Sequence, residues 1–237
     1  MKDLHNHLLY GIDDGSKSLS ESIKLLKEIS KGGVTEIVLT PHYIINSRYT
    51  CDINTKLELL SNLEKEMINN NINIKLYLGN EIFLDDKILE YIKQGKISSI
   101  NNSKYLLIEF PLINYPKYAL NIFSELIYNG YKIILAHPER YTYLYKDMSL
   151  FDELKEMGVL FQGNTGSLFK KYGKYSKKML KKLLKKDYID FMATDTHHSV
   201  KLNLKRVKRK LKRYISKKRV DELLITNFDK VINNEDI

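Results

Sequence analysis

Short apolar runs recur along this chain, each followed by a helical stretch, and six of them end in a histidine or a carboxylate. The first is Asp3-Leu4-His5-Asn6-His7. In an extended strand successive side chains alternate, so His5 and His7 point the same way and can grip one ion. An isolated H-x-H is a weak motif. Its weight comes from what repeats downstream.

Val34 to Leu39 reads as a second strand running into Thr40-Pro41-His42, and Ile74 to Leu78 as a third that delivers Gly79-Asn80-Glu81. Tyr105 to Ile108 delivers Glu109 just before Pro111 stops the strand. Lys132 to Ala136 ends in His137, Val159 to Gln162 ends near Asn164, and Ile189 to Ala193 delivers Asp195 and His197. Helices separate these runs. Ser18 with Glu21 is a capping box before the stripe Leu19, Ile23, Leu26, Ile29, which Gly32-Gly33 ends. Thr55 with Glu58 reads as a second capping box, before Leu57, Leu60, Leu63 and Met67. Further helices are expected at about 86–94, from Pro116 to Gly130, and over 151–157, 177–186, 201–213 and 216–224. Seven strand-then-helix units with nearly continuous apolar strands predict a parallel sheet covered by helices. Seven units favour a closed or nearly closed barrel over an open sheet.

Parallel α/β folds keep their chemistry where the strands end. His5, His7, His42, Glu81, Glu109, His137, Asp195 and His197 all fall there, and Asp14 lies in the first loop. Five of the six histidines are in this set. Mixed imidazole and carboxylate donors without thiolates suit zinc, manganese or iron. Five histidines and four carboxylates are too many for one ion, so two or three are expected, an arrangement that serves phosphoryl transfer. Arg140, three residues beyond His137, is placed to fork onto phosphate oxygens or to pair with Glu139 or Asp152. Tyr10, Tyr43, Tyr141 and Tyr143 lie in the same loops and are candidates to pack on an aromatic leaving group.

At 237 residues the chain suffices for one domain, 1–237, with no Pro/Gly/Ser-rich linker dividing it. One cysteine, Cys51, excludes an intramolecular disulfide and fits a reducing cytoplasm. No apolar run approaches the roughly 20 residues of a membrane span, and no signal peptide precedes the first motif. The net charge of +10 is uneven: residues 170–219 hold 20 Lys/Arg against three Asp, +17, which leaves −7 elsewhere. Such a segment suits an acidic partner, an anionic membrane surface or nucleic acid, or is simply a solvated lysine face. Only five aromatic residues fall inside it, which argues against a stable nucleic-acid complex.

Asp3-x-His5-x-His7, Asp13-Asp14-Gly15, Thr40-Pro41-His42, Glu81, Glu109, His137-x-Glu139-Arg140-Tyr141 and Asp195-x-His197 together resemble the polymerase-and-histidinol-phosphatase (PHP) superfamily. More narrowly they resemble its bacterial manganese-dependent protein-tyrosine phosphatases of capsule and exopolysaccharide loci. The similarity runs from Met1 to about Ile232. It implies a distorted TIM-like (β/α)7 barrel with three metals, manganese foremost, with zinc or iron as other ions that fit. One metal would be held by His5, His7, Glu81 and Asp195, a second by Glu81, Glu109 and His137, and a third by Asp14, His42 and His197. It further implies hydrolysis of phosphotyrosine on the tail of a membrane-associated tyrosine kinase. A metal-bridging hydroxide would attack phosphorus while Arg140 holds the phosphate.

Related phosphatases carry a second phosphate-binding arginine beyond Asp-x-His, where this chain has Lys201 as the substitute. Lysine lacks the bidentate fork. The nearest rival is histidinol-phosphate phosphatase or another phosphoesterase on the same scaffold; a nuclease is next, and a non-catalytic binding module last. The Asp-Asp-Gly loop and Glu109 fit the tyrosine-phosphatase branch better.

Overall fold

Nine short strands follow from the apolar runs: β1 (Lys2–Asp3), β2 (Glu36–Leu39), β3 (His42–Tyr43), β4 (Lys75–Leu78), β5 (Glu81–Phe83), β6 (Tyr105–Glu109), β7 (Lys132–Ala136), β8 (Leu160–Asn164) and β9 (Ile189–Ala193). They belong to a computed structural model that describes residues 1–145, 147–199 and 202–237. All pair in parallel, in the orders β1-β2-β4 and β3-β5-β6-β7-β8-β9.

The division into two sheets is local. β2 and β3 are one path broken at Thr40-Pro41, where proline has no N–H to give the ladder. β4 and β5 are one path broken at Gly79-Asn80. Gly79 N still donates to Leu39 O at 2.9 Å and Glu81 N to Pro41 O at 3.1 Å, so the pairing crosses both breaks. At the other edge Asp195 N donates to His5 O and His7 N to Thr196 O, each at 2.9 Å. These bonds close the ring. The expected seven-path barrel is what forms.

Strand alternation divides the apolar side chains. Leu107, Ile134, Ala136 and Phe191 fill the interior together with Leu4 and Val38. Leu106, Ile108, Ile133 and Leu135 point outward to the helices. Those are α1 (Leu19–Lys31), α2 (Ile53–Asn69), α3 (Ile88–Lys93), α4 (Ala119–Tyr128), α5 (Ser149–Glu156), α6 (Gly173–Lys185), α7 (Leu204–Leu211), α8 (Lys217–Asp221) and α9 (Asn227–Ile232). A π-helical turn, Glu222–Thr226, links the last two. Phe228 and Val231 of α9 join the interior cluster and plug the floor of the barrel.

The capping of two helices differs from the sequence reading. At α1, Ser18 Oγ accepts from Glu21 N, but the Glu21 carboxylate accepts from Lys17 N and not from Ser18. At α2 the cap is Asp52, whose Oδ1 accepts from Asn54 N and Thr55 N. Thr55 lies inside the helix and donates its hydroxyl to Asp52. The buried residues of this helix are Lys56, Leu63 and Met67, while Leu57 is half exposed. Helix α6 also begins a turn earlier than expected, and the helix expected over 201–213 is shorter.

Candidate metal centre

Glu81, delivered by the break between β4 and β5, stands at the centre of the barrel mouth. Its Oε2 lies 3.0 Å from His5 Nε2, 3.1 Å from His7 Nε2 and 3.2 Å from His42 Nδ1. Its Oε1 lies 3.0 Å from His137 Nε2. The two imidazoles just beyond β1 face the same way, with Nε2 atoms 3.2 Å apart.

The other donors gather around this core. Asp195 Oδ1 is 3.8 Å and 3.7 Å from the Nε2 atoms of His5 and His7, and 3.4 Å from His197 Nδ1. Asp14 Oδ1 is 3.5 Å from His42 Nε2 and 3.4 Å from His197 Nε2. Glu109 Oε1 lies 3.6 Å from His137 Nε2, and its Oε2 lies 3.9 Å from His42 Nδ1. All nine residues singled out from the sequence therefore converge. Two groupings run across the sets that the resemblance implies. His7 stands with Asp14, His42 and His197, and His42 stands with Glu81 and Glu109.

Backbone strain helps to aim two of them. His137 (φ 32°) and Asp195 (φ 49°) take the left-handed conformation, which costs on the order of 1 kcal/mol each. His137 follows the inward-facing Ala136, so strict alternation would point it out of the barrel.

Partners behind the donors fix their orientation. His5 Nδ1 meets Gln162 Oε1 at 2.8 Å, an oxygen that only accepts, so Nδ1 carries a proton and Nε2 is the nitrogen turned toward the centre, where it would hold an ion. His7 Nδ1 meets Asp13 Oδ2 at 2.8 Å. Asp13 also accepts from His42 N and Gly15 N, which folds the first loop over the mouth. Gln162 Nε2 donates to Asn164 Oδ1, and Asn164 Nδ2 donates to Asp195 Oδ2 at 2.6 Å. Asp13, Gln162 and Asn164 escaped the sequence reading as site residues. The alternate spacing of the last two on a strand was the one available sign.

Burial and charge act together here. Burial opposes the Glu81 carboxylate, yet His5 and His42 hold it well below the usual range. Asp195 is likewise held down, against burial, by His5 and His137. Burial opposes the His5 cation too, but Glu81 and Asp195 raise it to about 9. Burial lowers His137 to about 4, and burial followed by the Glu81 charge pushes Glu109 well up. His197 draws Asp14 down to about 2. Five imidazoles and four carboxylates crowd a largely buried site, where burial disfavours the cation of His137 and the charge of Glu109. Divalent cations resolve that crowding, and the thiolate-free donor set fits them.

Arg140 takes neither partner proposed from spacing. Glu139 is buried and accepts from Asn164 N and Ser167 Oγ, while Asp152 pairs with Lys186. Arg140 Nη1 instead lies 3.0 Å from Asp195 Oδ2, and its guanidinium stacks 4.5 Å from the Tyr172 ring. The tyrosine expectation is corrected. Tyr43 and Tyr141 are buried in the core, Tyr141 donating to Ala136 O and accepting from Phe110 N, and Tyr143 stacks behind Tyr141. Tyr10 packs partly buried against the same core. Less buried rings beside the centre are Tyr172 and Tyr49, the latter 6.1 Å from His42, while the buried Tyr141 ring backs His137 at 6.0 Å. Lys201 lies outside the described residues.

Residues 1–233 match the model of the CpsB/CapC family, described as capsular polysaccharide synthesis. The chain belongs to the CpsB/CapC family. It is 40% identical to CapC of Staphylococcus aureus over 83% of this chain and 77% of the relative. It is 32% identical to the tyrosine-protein phosphatase YwqE of Bacillus subtilis over 84% of this chain and 78% of that one. A crystal structure from work on YwqE and on CpsB of Streptococcus pneumoniae, called unique metal-dependent tyrosine phosphatases, superposes with a TM-score of 0.92. It is 28% identical and covers 100% of this chain and 96% of its own. The histidinol phosphate phosphatase of Lactococcus lactis superposes at 0.60 with 16% identity, covering 92% of this chain and 94% of its own, which establishes a shared fold. CpsB/CapC membership and the PHP-like barrel thus agree.

Proposed function

We infer that this CpsB/CapC protein is a metal-dependent protein-tyrosine phosphatase of capsular polysaccharide synthesis, with 1–237 as its catalytic domain. The observation that carries the reading is the convergence of nine imidazole and carboxylate side chains, with one guanidinium, at a single barrel mouth. We assign His5, His7, Glu81 and Asp195 to one ion, Glu81, Glu109 and His137 to a second, and Asp14, His42 and His197 to a third. Manganese is the expected ion, in two or three copies. Bound there, such ions supply water acidic enough to attack near neutral pH and neutralise the phosphoryl oxygens.

The protein's own residues do the rest. Exposure rises from the buried His5, His7 and Glu81 to His197 (27%) and Asp14 (51%), so substrate enters over the Asp14–His197 side. Arg140 leaves Asp195 to clamp two phosphate oxygens, while Asn164 and Tyr172 retain their hydrogen bonds to Asp195. Gln162 and Asp13 keep the proton of each β1 imidazole away from the centre. A phenolate leaving group of pKa about 10 needs little proton donation. The substrate we assign is a phosphotyrosyl protein, a membrane-associated tyrosine kinase, met in the cytoplasm. No described helix is long and apolar enough to cross a membrane. Lys201 remains our candidate for a second phosphate contact.

The test is phosphate release from phosphotyrosyl peptides, histidinol phosphate and single-stranded DNA, by protein stripped of metal and reloaded with manganese. Preference for the peptides, lost without metal, supports the reading. Full activity after stripping overturns the metal chemistry, and preference for either other substrate overturns the assigned role.

A further inference from the structure

Helices α6 and α7 approach one another on the outside of the barrel, the Lys181 ammonium of α6 sitting 5.7 Å over the ring of Tyr214 just beyond α7. Their apolar residues, Met179, Leu180, Leu183 and Leu184 on one and Val207 and Leu211 on the other, turn to the core. What remains outward is basic. Lys178, Lys181 and Lys182 are exposed on α6, and Lys205, Arg206 and Arg209 on α7. Neither helix contains a carboxylate. Among the described residues, the cations of the basic segment that find a carboxylate are Lys186, Lys208, Lys218 and Arg219, and of these only Lys208, facing Asp221, lies within α6 or α7.

Like charges packed this closely repel one another. Partial loss of solvent, then Arg213, Lys177, Arg206 and Arg209, depress the Lys210 ammonium below its ordinary value. Among the described residues only Asp221, opposite Lys208, offsets the field of the two helices, which leaves most of it available to an external counter-charge. The shape narrows the choice of partner. α6 alone runs about 20 Å, and the cations spread over both helices with few aromatic side chains for stacking bases. A single acidic strand covers one line of such a face, whereas acidic lipid headgroups cover all of it.

We propose that the α6–α7 face docks this protein reversibly on a membrane surface rich in anionic lipid. Adsorption there is electrostatic, because the apolar residues of both helices are committed to the core. It also sets the catalytic mouth near the bilayer: α6 begins directly after Tyr172, whose ring carries Arg140. The proposal stands apart from the phosphatase reading, since lipid binding and turnover are measured separately.

Co-sedimentation of the full chain with vesicles tests it, comparing phosphatidylcholine alone with the same lipid carrying about one-third phosphatidylglycerol, at about 0.1 M salt. Binding is expected only to the anionic vesicles and is expected to vanish at about 0.5 M salt. The triple variant Lys181→Glu, Arg209→Glu, Arg213→Glu should bind at least about tenfold more weakly. A charge-matched control, Lys24→Glu, Lys65→Glu, Lys93→Glu on α1, α2 and α3, should lose much less, with far-ultraviolet circular dichroism confirming that both variants fold. Equal loss in the two variants, no binding by the wild type, or equal binding to neutral vesicles overturns the proposal. So does tighter binding to a poly-glutamate peptide or to DNA than to the vesicles, which would make the face a polyanion site.

Discussion

Glu81 touches four of the five site histidines, so its neighbours have one arrangement in which each keeps a lone pair free for a cation. Gln162 enforces part of that arrangement through His5. Replacing it with leucine should weaken manganese binding by about 10- to 100-fold, read by titration calorimetry; unchanged affinity would show that His5 is oriented by Glu81 alone. Arg140→Lys should lower kcat/KM for a phosphotyrosyl peptide by about 10- to 100-fold, because a hydrogen bond to a charged group is worth about 1.5–3 kcal/mol and lysine cannot fork. An unaltered kcat/KM would remove Arg140 from the phosphate site. At this scale the sequence was most legible where chemistry is distinctive. Histidines and carboxylates at strand ends announce themselves, whereas Gln162 and Asn164 carry no donor signature, and the meeting of Arg140 with Asp195 spans 55 positions that no local pattern connects.

Helix α2 shows how an element resists reading. Asp52 and Thr55 are both good caps, and neither choice tells which face of the helix will be buried. The outcome puts Lys56 inside, its Nζ donating to Asn80 Oδ1 at 2.8 Å and to Ser98 Oγ at 2.7 Å, next to the break between β4 and β5. Burial lowers this ammonium from 10.5 to about 8. Below pH 8 the buried charge counts fully against the fold. As pH rises from about 8 to 10.5 the folded chain sheds the proton first, the unfolded chain holds more protons, and stability rises by up to about 3 kcal/mol. Urea unfolding at pH 7.5 and 9.5 should show this gain in the wild type and a flatter response in Lys56→Met; parallel responses would mean that the amine is not desolvated. The strands themselves were foreseeable to within two or three residues, because apolar runs bounded by glycine and proline leave few alternatives. The two breaks were not, since Thr40-Pro41 and Gly79-Asn80 look like ordinary strand ends.

For the molecule as a whole, the ring closes through residues of the metal centre itself. The bonds between β1 and the end of β9 come from His5, His7, Asp195 and Thr196. Metal should therefore hold the two edges together, and manganese is expected to raise the unfolding temperature of the stripped protein while slowing amide hydrogen exchange at His7 and Asp195. Exchange unchanged at those two amides would mean that the seam is stable without metal.

The floor adds a consequence for the living chain. Phe228 and Val231 stopper a cylinder whose first wall contains Leu4, so the interior is sealed only by contacts between distant parts of the sequence. Throughout synthesis His5 and His7 wait for Glu81, then for Asp195, with their ligand-bearing edge unpaired. Contacts so distant along the chain form slowly. The full donor set is thus assembled only when the end of β9 meets the segment after β1, and an ion held by both His5 and Asp195 reports a closed ring.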